Sequence, residues 1–182
     1  MEILKTIILT AYSKNIAKIL DKHLDIILVG DSVANVLYGH KSTHQLSLEN
    51  IIQHSKSVKM GIKNSLLVVD MPKGSYGNFR LAKKNAKLLM KKTDCDAVKI
   101  ESNKKNFNII KTLVKKNIPV MGHIGFTPQF KKKFKIEGNT KTKAELLLKE
   151  GIKIEKSGAF AIVLECLTPK ASKHITNKLK IP

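Results

Sequence analysis

The chain has 182 residues, with 34 basic against 14 acidic side chains, 42% hydrophobic content, 5% aromatics and no tryptophan. One domain is the default at this length, and the apolar fraction suffices for a core that buries roughly two-thirds of the unfolded surface, which excludes a disordered chain. No apolar run approaches the roughly 18 residues that a bilayer crossing needs. The short run Thr6–Thr10 follows Lys5 but has Glu2 ahead of it and no small-residue cleavage site behind it, so it is not read as a signal peptide.

The formal charge of +20 invites a nucleic-acid reading, because a basic surface gains affinity for phosphate by counterion release. The distribution of that charge argues against it. Arg80 is the only arginine, and the lysines are scattered in pairs. Lys91-Lys92 and Lys115-Lys116 fall at the ends of helical patterns, where they complement the C-terminal dipole. Neither a nucleic-acid nor a membrane partner is expected. Cys95 and Cys166 form no C-x-x-C pair, and free thiols in a reducing, cytoplasmic setting are the simple reading.

In chain order, short apolar runs alternate with segments of period near 3.6. Strands are expected at Ile7–Thr10, Ile26–Gly30, Leu66–Asp70, Ala97–Glu101, Pro119–His123 and Ala161–Glu165. Ser13 is placed to cap a helix carrying Ile16, Ala17, Ile19 and Leu20, and Ser47 one presenting Ile51, Ser55 and Val58. Further helices are expected over Asn78–Lys92, over Asn106–Lys116 with Asn117 as its stop, and over Lys143–Ser157 ahead of Gly158. Ala171, Ile175 and Leu179 mark a last one.

Six strands alternating with six helices predict an α/β fold with a parallel sheet. An open dinucleotide-binding sheet needs G-x-G-x-x-G after its first strand, yet no glycine occurs between Thr10 and Gly30. A (β/α)8 TIM-type barrel instead carries its chemistry at the C-terminal ends of several strands. Asp31, Asp70, Lys99 with Glu101, His123 and Glu165 occupy those ends in turn. Such barrels take eight units and roughly 250 residues. Asn117-Ile118-Pro119 opens the fifth strand and Lys180-Ile181-Pro182 ends the chain in the same style. The expectation is a single barrel domain, 1–182, truncated after about six units and lacking the seventh and eighth. The outer edges of its first and sixth strands would then be open to association.

Four of the 14 acidic residues, Asp31, Asp70, Glu101 and Glu165, fall at strand ends on what would be one face. An aspartate after a strand is often turn chemistry, but Asp70 precedes Met71-Pro72, and glutamates are poor caps. Carboxylates brought to one place repel one another unless a cation neutralises them. Oxygen-only ligands suit Mg²⁺. His123 is read as a partner in the site or a structural histidine. His40 and His44, at i,i+4 in a loop without the H-E-x-x-H glutamate, are not read as zinc ligands. Gly74 and Gly77 flank Ser75-Tyr76 in what reads as a plain turn, with a flexible lid as the alternative.

Val29-Gly30-Asp31-Ser32, Asp70-Met71-Pro72, Lys99-Ile100-Glu101, the run Gly122–Gln129 and Val163-Leu164-Glu165-Cys166 together resemble, in order and spacing, the ketopantoate (3-methyl-2-oxobutanoate) hydroxymethyltransferase family. Gly39 through Thr43 and Gly74-Ser75-Tyr76 extend the resemblance over essentially the whole chain. It implies a barrel enzyme of pantothenate synthesis that uses Mg²⁺ and takes 5,10-methylenetetrahydrofolate as one-carbon donor. It also implies a large homo-oligomer, commonly a decamer. The positions matching Asp31, Asp70 and Glu101 would serve the metal, those matching Asp31, Ser32, Asp70 and Lys99 would contact the oxoacid, and Glu165 would be the catalytic base. Departures from the family pattern are Ser102-Asn103 where paired glycines are usual, Lys73 in place of phenylalanine, and a shorter loop over Phe130–Gly138. Two alternatives remain: a related Mg²⁺ barrel of the phosphoenolpyruvate mutase and isocitrate lyase type, whose Lys-Cys-Gly loop has no counterpart here, and an inactive or partner-dependent fragment.

Overall fold

The computed structural model describes residues 6–103, 106–131 and 133–182. Six strands form, namely β1 (Ile8–Thr10), β2 (Ile26–Val29), β3 (Leu66–Asp70), β4 (Ala97–Glu101), β5 (Val120–Gly125) and β6 (Ala161–Glu165), and their order in the sheet is their order in the chain. The pairings of β1 with β2, β2 with β3, β3 with β4 and β5 with β6 are all parallel. Between them run α1 (Lys14–Leu20), α2 (Val33–Val36), α3 (Leu48–Lys59), α4 (Phe79–Thr93), α5 (Phe107–Val114) and α6 (Lys141–Lys156), with α7 (Pro169–Thr176) last. The chain divides within β4 into two compact units, Lys5–Lys99 and Ile100–Pro182.

In Lys5–Lys99 the residues Ile27, Val29, Leu67, Val68 and Val69 of β2 and β3 are fully buried, as are Ile51 and Val58 of α3 and Ala86 and Leu89 of α4. Ser47 caps α3 through a capping box with Asn50, and Asn78 caps α4 by accepting from the Leu81 N–H at 2.9 Å. Ser13 stands at the N-cap of α1, yet its side chain makes no cap hydrogen bond. Asp21, just past α1, takes over the task of binding the next connection. Its carboxylate accepts the backbone N–H groups of Lys63, Asn64 and Ser65 at 2.8–3.1 Å. Burial pushes that carboxyl up, and the amides of Ser65, Asn64 and Lys63 together outweigh it and hold the group down at about 2.

In Ile100–Pro182 the core gathers Ile110 and Leu113 of α5, Met121 and Ile124 of β5, Ile154 of α6 and Ile175 of α7. Asn117 stops the segment after α5 in the left-handed region, at φ 58°, and Gly158 does the same after α6 at φ 90°. The strand expected at Pro119–His123 lies instead at Val120–Gly125. Proline has no N–H for the ladder, and the register with β6 carries the strand on until Gly125 faces Glu165. The four-residue helix α2 and a 3₁₀ turn at Thr43–Gln45 have no periodic apolar pattern and escape a sequence reading. His44 sits in that turn and its backbone N–H is bound by Ser42. Among the described residues no helix is long and apolar enough to cross a membrane.

Candidate active site

The first cluster belongs to Lys5–Lys99. Asp70 is the last residue of β3, and Lys99 is its register partner on β4, so their side chains emerge on the same face as cross-strand neighbours. The Lys99 ammonium donates to Asp70 Oδ1, with only 6% and 3% of the two side chains exposed. The other oxygen, Oδ2, accepts the backbone N–H of Asp31 at 2.9 Å. Asp31 is itself buried. Ser32 follows, and its hydroxyl lies 2.7 Å from that of Tyr12. Gly30 permits this crowding. A Cβ there would stand 2.9 Å from Ser32 Oγ and 3.5 Å from Asp70 Oδ2.

Four residues expected to meet the oxoacid, Asp31, Ser32, Asp70 and Lys99, are therefore drawn together by two strand ends and one tight turn. The result is the buried Asp70 carboxylate on the Lys99 ammonium and the Asp31 main chain, with Asp31 itself buried and the Ser32 hydroxyl next in the chain. Such a set can receive a small anion that brings a cation with it. Tyr12 is the member that sequence reasoning missed. Its backbone carbonyl is 2.8 Å from His54 Nδ1, which fixes the segment between β1 and α1.

The second cluster belongs to Ile100–Pro182. Glu101 ends β4, is buried, and accepts the backbone N–H of Gln129 on Oε2 at 2.9 Å. His123, on β5 and 1% exposed, lies between two carboxylates: Nδ1 is 3.8 Å from Glu101 Oε1 and Nε2 is 3.2 Å from Glu165 Oε2. Glu165 ends β6 and keeps 38% of its side chain exposed. Its carboxylate thus reaches solvent and has the His123 ring beside it. His123 thus has a specific place beside Glu165, and Gln129 joins the cluster through its main chain, an engagement that no side-chain pattern could reveal.

Each carboxylate meets protein groups within its own unit. Asp70 has Lys99 and the Asp31 amide; Glu101 has the Gln129 amide and His123. Part of the repulsion between carboxylates is thereby relieved within each unit. Among the described residues no group of three or more histidine, cysteine, aspartate or glutamate side chains is gathered as a metal cage. Cys95 and Cys166 are free, and burial pushes both thiols up, with the charge of Glu165 adding to the effect at Cys166. Neither is an activated nucleophile.

Comparison with known proteins bears on the fold and the family. The solved structures of phosphonopyruvate hydrolase (TM-score 0.74, 13% identity), 2,3-dimethylmalate lyase of the phosphoenolpyruvate mutase/isocitrate lyase superfamily (0.71, 13%) and oxaloacetate acetylhydrolase (0.72, 10%) each superpose on at least 96% of this chain and on 62–64% of their own. At such identities they show the fold, which is α/β of the TIM-barrel type with six of its strand–helix units. Sequence relatives are much nearer. Proteins named 3-methyl-2-oxobutanoate hydroxymethyltransferase are 50% identical in Pelagibacter ubique, 43% in Campylobacter curvus and 41% in Anaplasma marginale, over 98%, 97% and 96% of this chain. The chain spans 69%, 66% and 64% of the lengths of those three relatives. The family model described as ketopantoate hydroxymethyltransferase matches residues 2–182, and the chain belongs to that transferase family.

Proposed function

We propose that the protein transfers a hydroxymethyl group from 5,10-methylenetetrahydrofolate to 3-methyl-2-oxobutanoate, giving 2-dehydropantoate for pantothenate synthesis, with Mg²⁺ as the metal. The observation that carries this reading is the buried cluster of Asp31, Asp70 and Lys99, with Ser32 beside it, at the positions that the family resemblance assigns to the oxoacid. The donor chemistry fits the ion. Two carboxylates against one ammonium leave that trio net negative, all its donors are oxygen, and Mg²⁺ commonly takes only one or two carboxylates, with water and substrate completing its shell. Asp31 and Asp70 are the residues that would hold it, with Glu101 the third that the family pattern assigns. One of the solved neighbours, phosphonopyruvate hydrolase, is a complex with oxalate and Mg²⁺. When bound, the ion supplies Lewis acidity toward the oxygens of a 2-oxoacid.

The chain's own residues do the rest. Lys99 sets a fixed positive charge where negative charge develops on the substrate oxygen, and its pairing with Asp70 keeps it from moving. Ser32 offers a hydroxyl whose direction is held by Tyr12. Glu165 takes the proton from C3 of the oxoacid, the electron pair left on C3 forms the new bond to the methylene carbon of the folate, and the two C–N bonds that hold that carbon to the carrier break, their nitrogens taking up the C3 proton and one proton of water. Water supplies the hydroxyl of the product.

Loss of the C3 proton can be read without the folate, because solvent deuterium replaces it. Proton NMR in D₂O should show exchange at C3 of 3-methyl-2-oxobutanoate that needs both the protein and Mg²⁺, and product should form once the folate is added. Glu165→Gln should reduce exchange by about a hundredfold or more, the scale of a lost general base. Absence of Mg²⁺-dependent exchange and turnover in the parent protein overturns the reading, and exchange by Glu165→Gln at the parent rate overturns the role of Glu165.

A further inference from the structure

We infer that the ion pair between Lys131 and Glu137, in the loop that follows β5, is a clasp that positions Glu165 for proton removal. This rests on the reading of Glu165 as the base. Both residues lie in the stretch where the chain departs from the family pattern, and neither touches the reacting groups described above.

The clasp is built from five contacts. At the end of β5, Gly125 runs so close to β6 that a Cβ would come within 2.2 Å of the Glu165 carbonyl oxygen, and its φ of 97° suits glycine. The next residue, Phe126, donates its N–H to that same oxygen at 2.9 Å. The Lys131 ammonium reaches back to the Gly125 carbonyl at 2.7 Å and forward to Glu137 Oε1 at 2.6 Å, so one side chain joins both ends of the loop. Glu137 in turn donates its N–H to the Cys166 carbonyl at 2.8 Å and accepts the N–H of Thr168 at 3.0 Å.

Cys166 has φ 54°, a conformation that a residue with a Cβ adopts only when its surroundings impose it. The imposed kink is one residue beyond Glu165. Glu165 is therefore held on its own carbonyl by Phe126 and on the far side through Cys166 by Glu137, and Lys131 ties these two supports together. Lys131 and Glu137 are 39% and 19% exposed at the side chain, so their charges are only partly screened by water. The ammonium is the only group bridging the strand end at Gly125 to the returning segment at Glu137 among the described hydrogen bonds. Remove it and the carboxylate of Glu165 keeps its chemistry but loses its direction.

The test compares Lys131→Met, Glu137→Gln and Lys131→Arg with the parent. In Lys131→Met, C3–H exchange at saturating oxoacid should fall about tenfold to a hundredfold, the cost of a misdirected catalytic group. KM should stay within about twofold, because the oxoacid contacts lie elsewhere. Glu137→Gln should fall in the same direction, and Lys131→Arg should recover most of the loss. Backbone amide exchange gives a readout independent of turnover. Phe126 and Glu137 should lose protection in Lys131→Met while Met121 and Ile124 keep theirs. Unchanged protection of Phe126 and Glu137, or lost protection with an unchanged exchange rate at C3, overturns the clasp. An inactive parent overturns the functional reading instead, and the amide measurement still decides whether the clasp exists.

Discussion

Lys99 is a buried cation paired with Asp70, and the pair shows what a single residue contributes here. Ion pairs taken out of water gain little net stability, but removing one partner strands the other. Lys99→Met keeps the length of the side chain and deletes its charge, leaving the Asp70 carboxylate with the Asp31 amide alone. The expected loss is about 3 kcal/mol or more in urea unfolding at pH 7, the range for breaking a buried pair. A loss within 0.5 kcal/mol, the usual size for surface changes, would mean that the pair is open to water. If Lys99 meets the oxoacid as proposed, the same variant should also lose binding of that substrate, since its charge has been deleted.

At the scale of elements, the strongest local device is Asp21, which ties the end of α1 to the connection from α3 to β3. Its carboxyl titrates at about 2 in the folded protein against an ordinary value of 3.8. A depressed carboxylate stabilises above its unfolded pKa, so the contribution is complete above about pH 4 and disappears as pH falls toward 2. The shift corresponds to about 2 kcal/mol. Asp21→Asn should therefore lower stability by about that amount at pH 7 and by far less at pH 2.5. Urea midpoints at the two pH values measure it, and an equal loss at both would assign the effect to packing rather than to charge.

Such elements were only partly legible. The alternation of strands and helices could be read because each strand is a short apolar run with a polar residue at its end, as in Leu66–Asp70 and Ala97–Glu101. The end of β5 could not, since it depends on pairing with β6 through Gly125. Similarly, Asp70 and Lys99 could be placed at strand ends, but that they touch follows from register. His123 could be placed at a strand end, whereas the carboxylates on either side of it come from two other strands, β4 and β6. Asp21 gave no signal, because its partners are main-chain amides some forty residues away.

Over the whole molecule the charge of +20 complicates every ligand measurement, because self-repulsion among the lysines makes any added anion stabilising. A specific ligand must raise stability beyond that background. If Asp31, Asp70, Ser32 and Lys99 hold a 2-oxoacid with Mg²⁺, the folded state gains about 2.7 kcal/mol when the ligand is present at 100 times its Kd. For a chain of this size, each kcal/mol moves the thermal midpoint by about 2–4 °C. The midpoint with Mg²⁺ and 3-methyl-2-oxobutanoate should therefore rise by roughly 5–10 °C. 3-Methylbutanoate at equal ionic strength is the control, since it has the carboxylate and the carbon branch but no ketone oxygen with which to chelate. It should give only the small shift due to screening. EDTA should remove the excess, and Asp31→Asn combined with Asp70→Asn should never show it. Equal shifts from the oxoacid and the control, with or without EDTA, would reduce the cluster to one more place where a basic protein attracts anions.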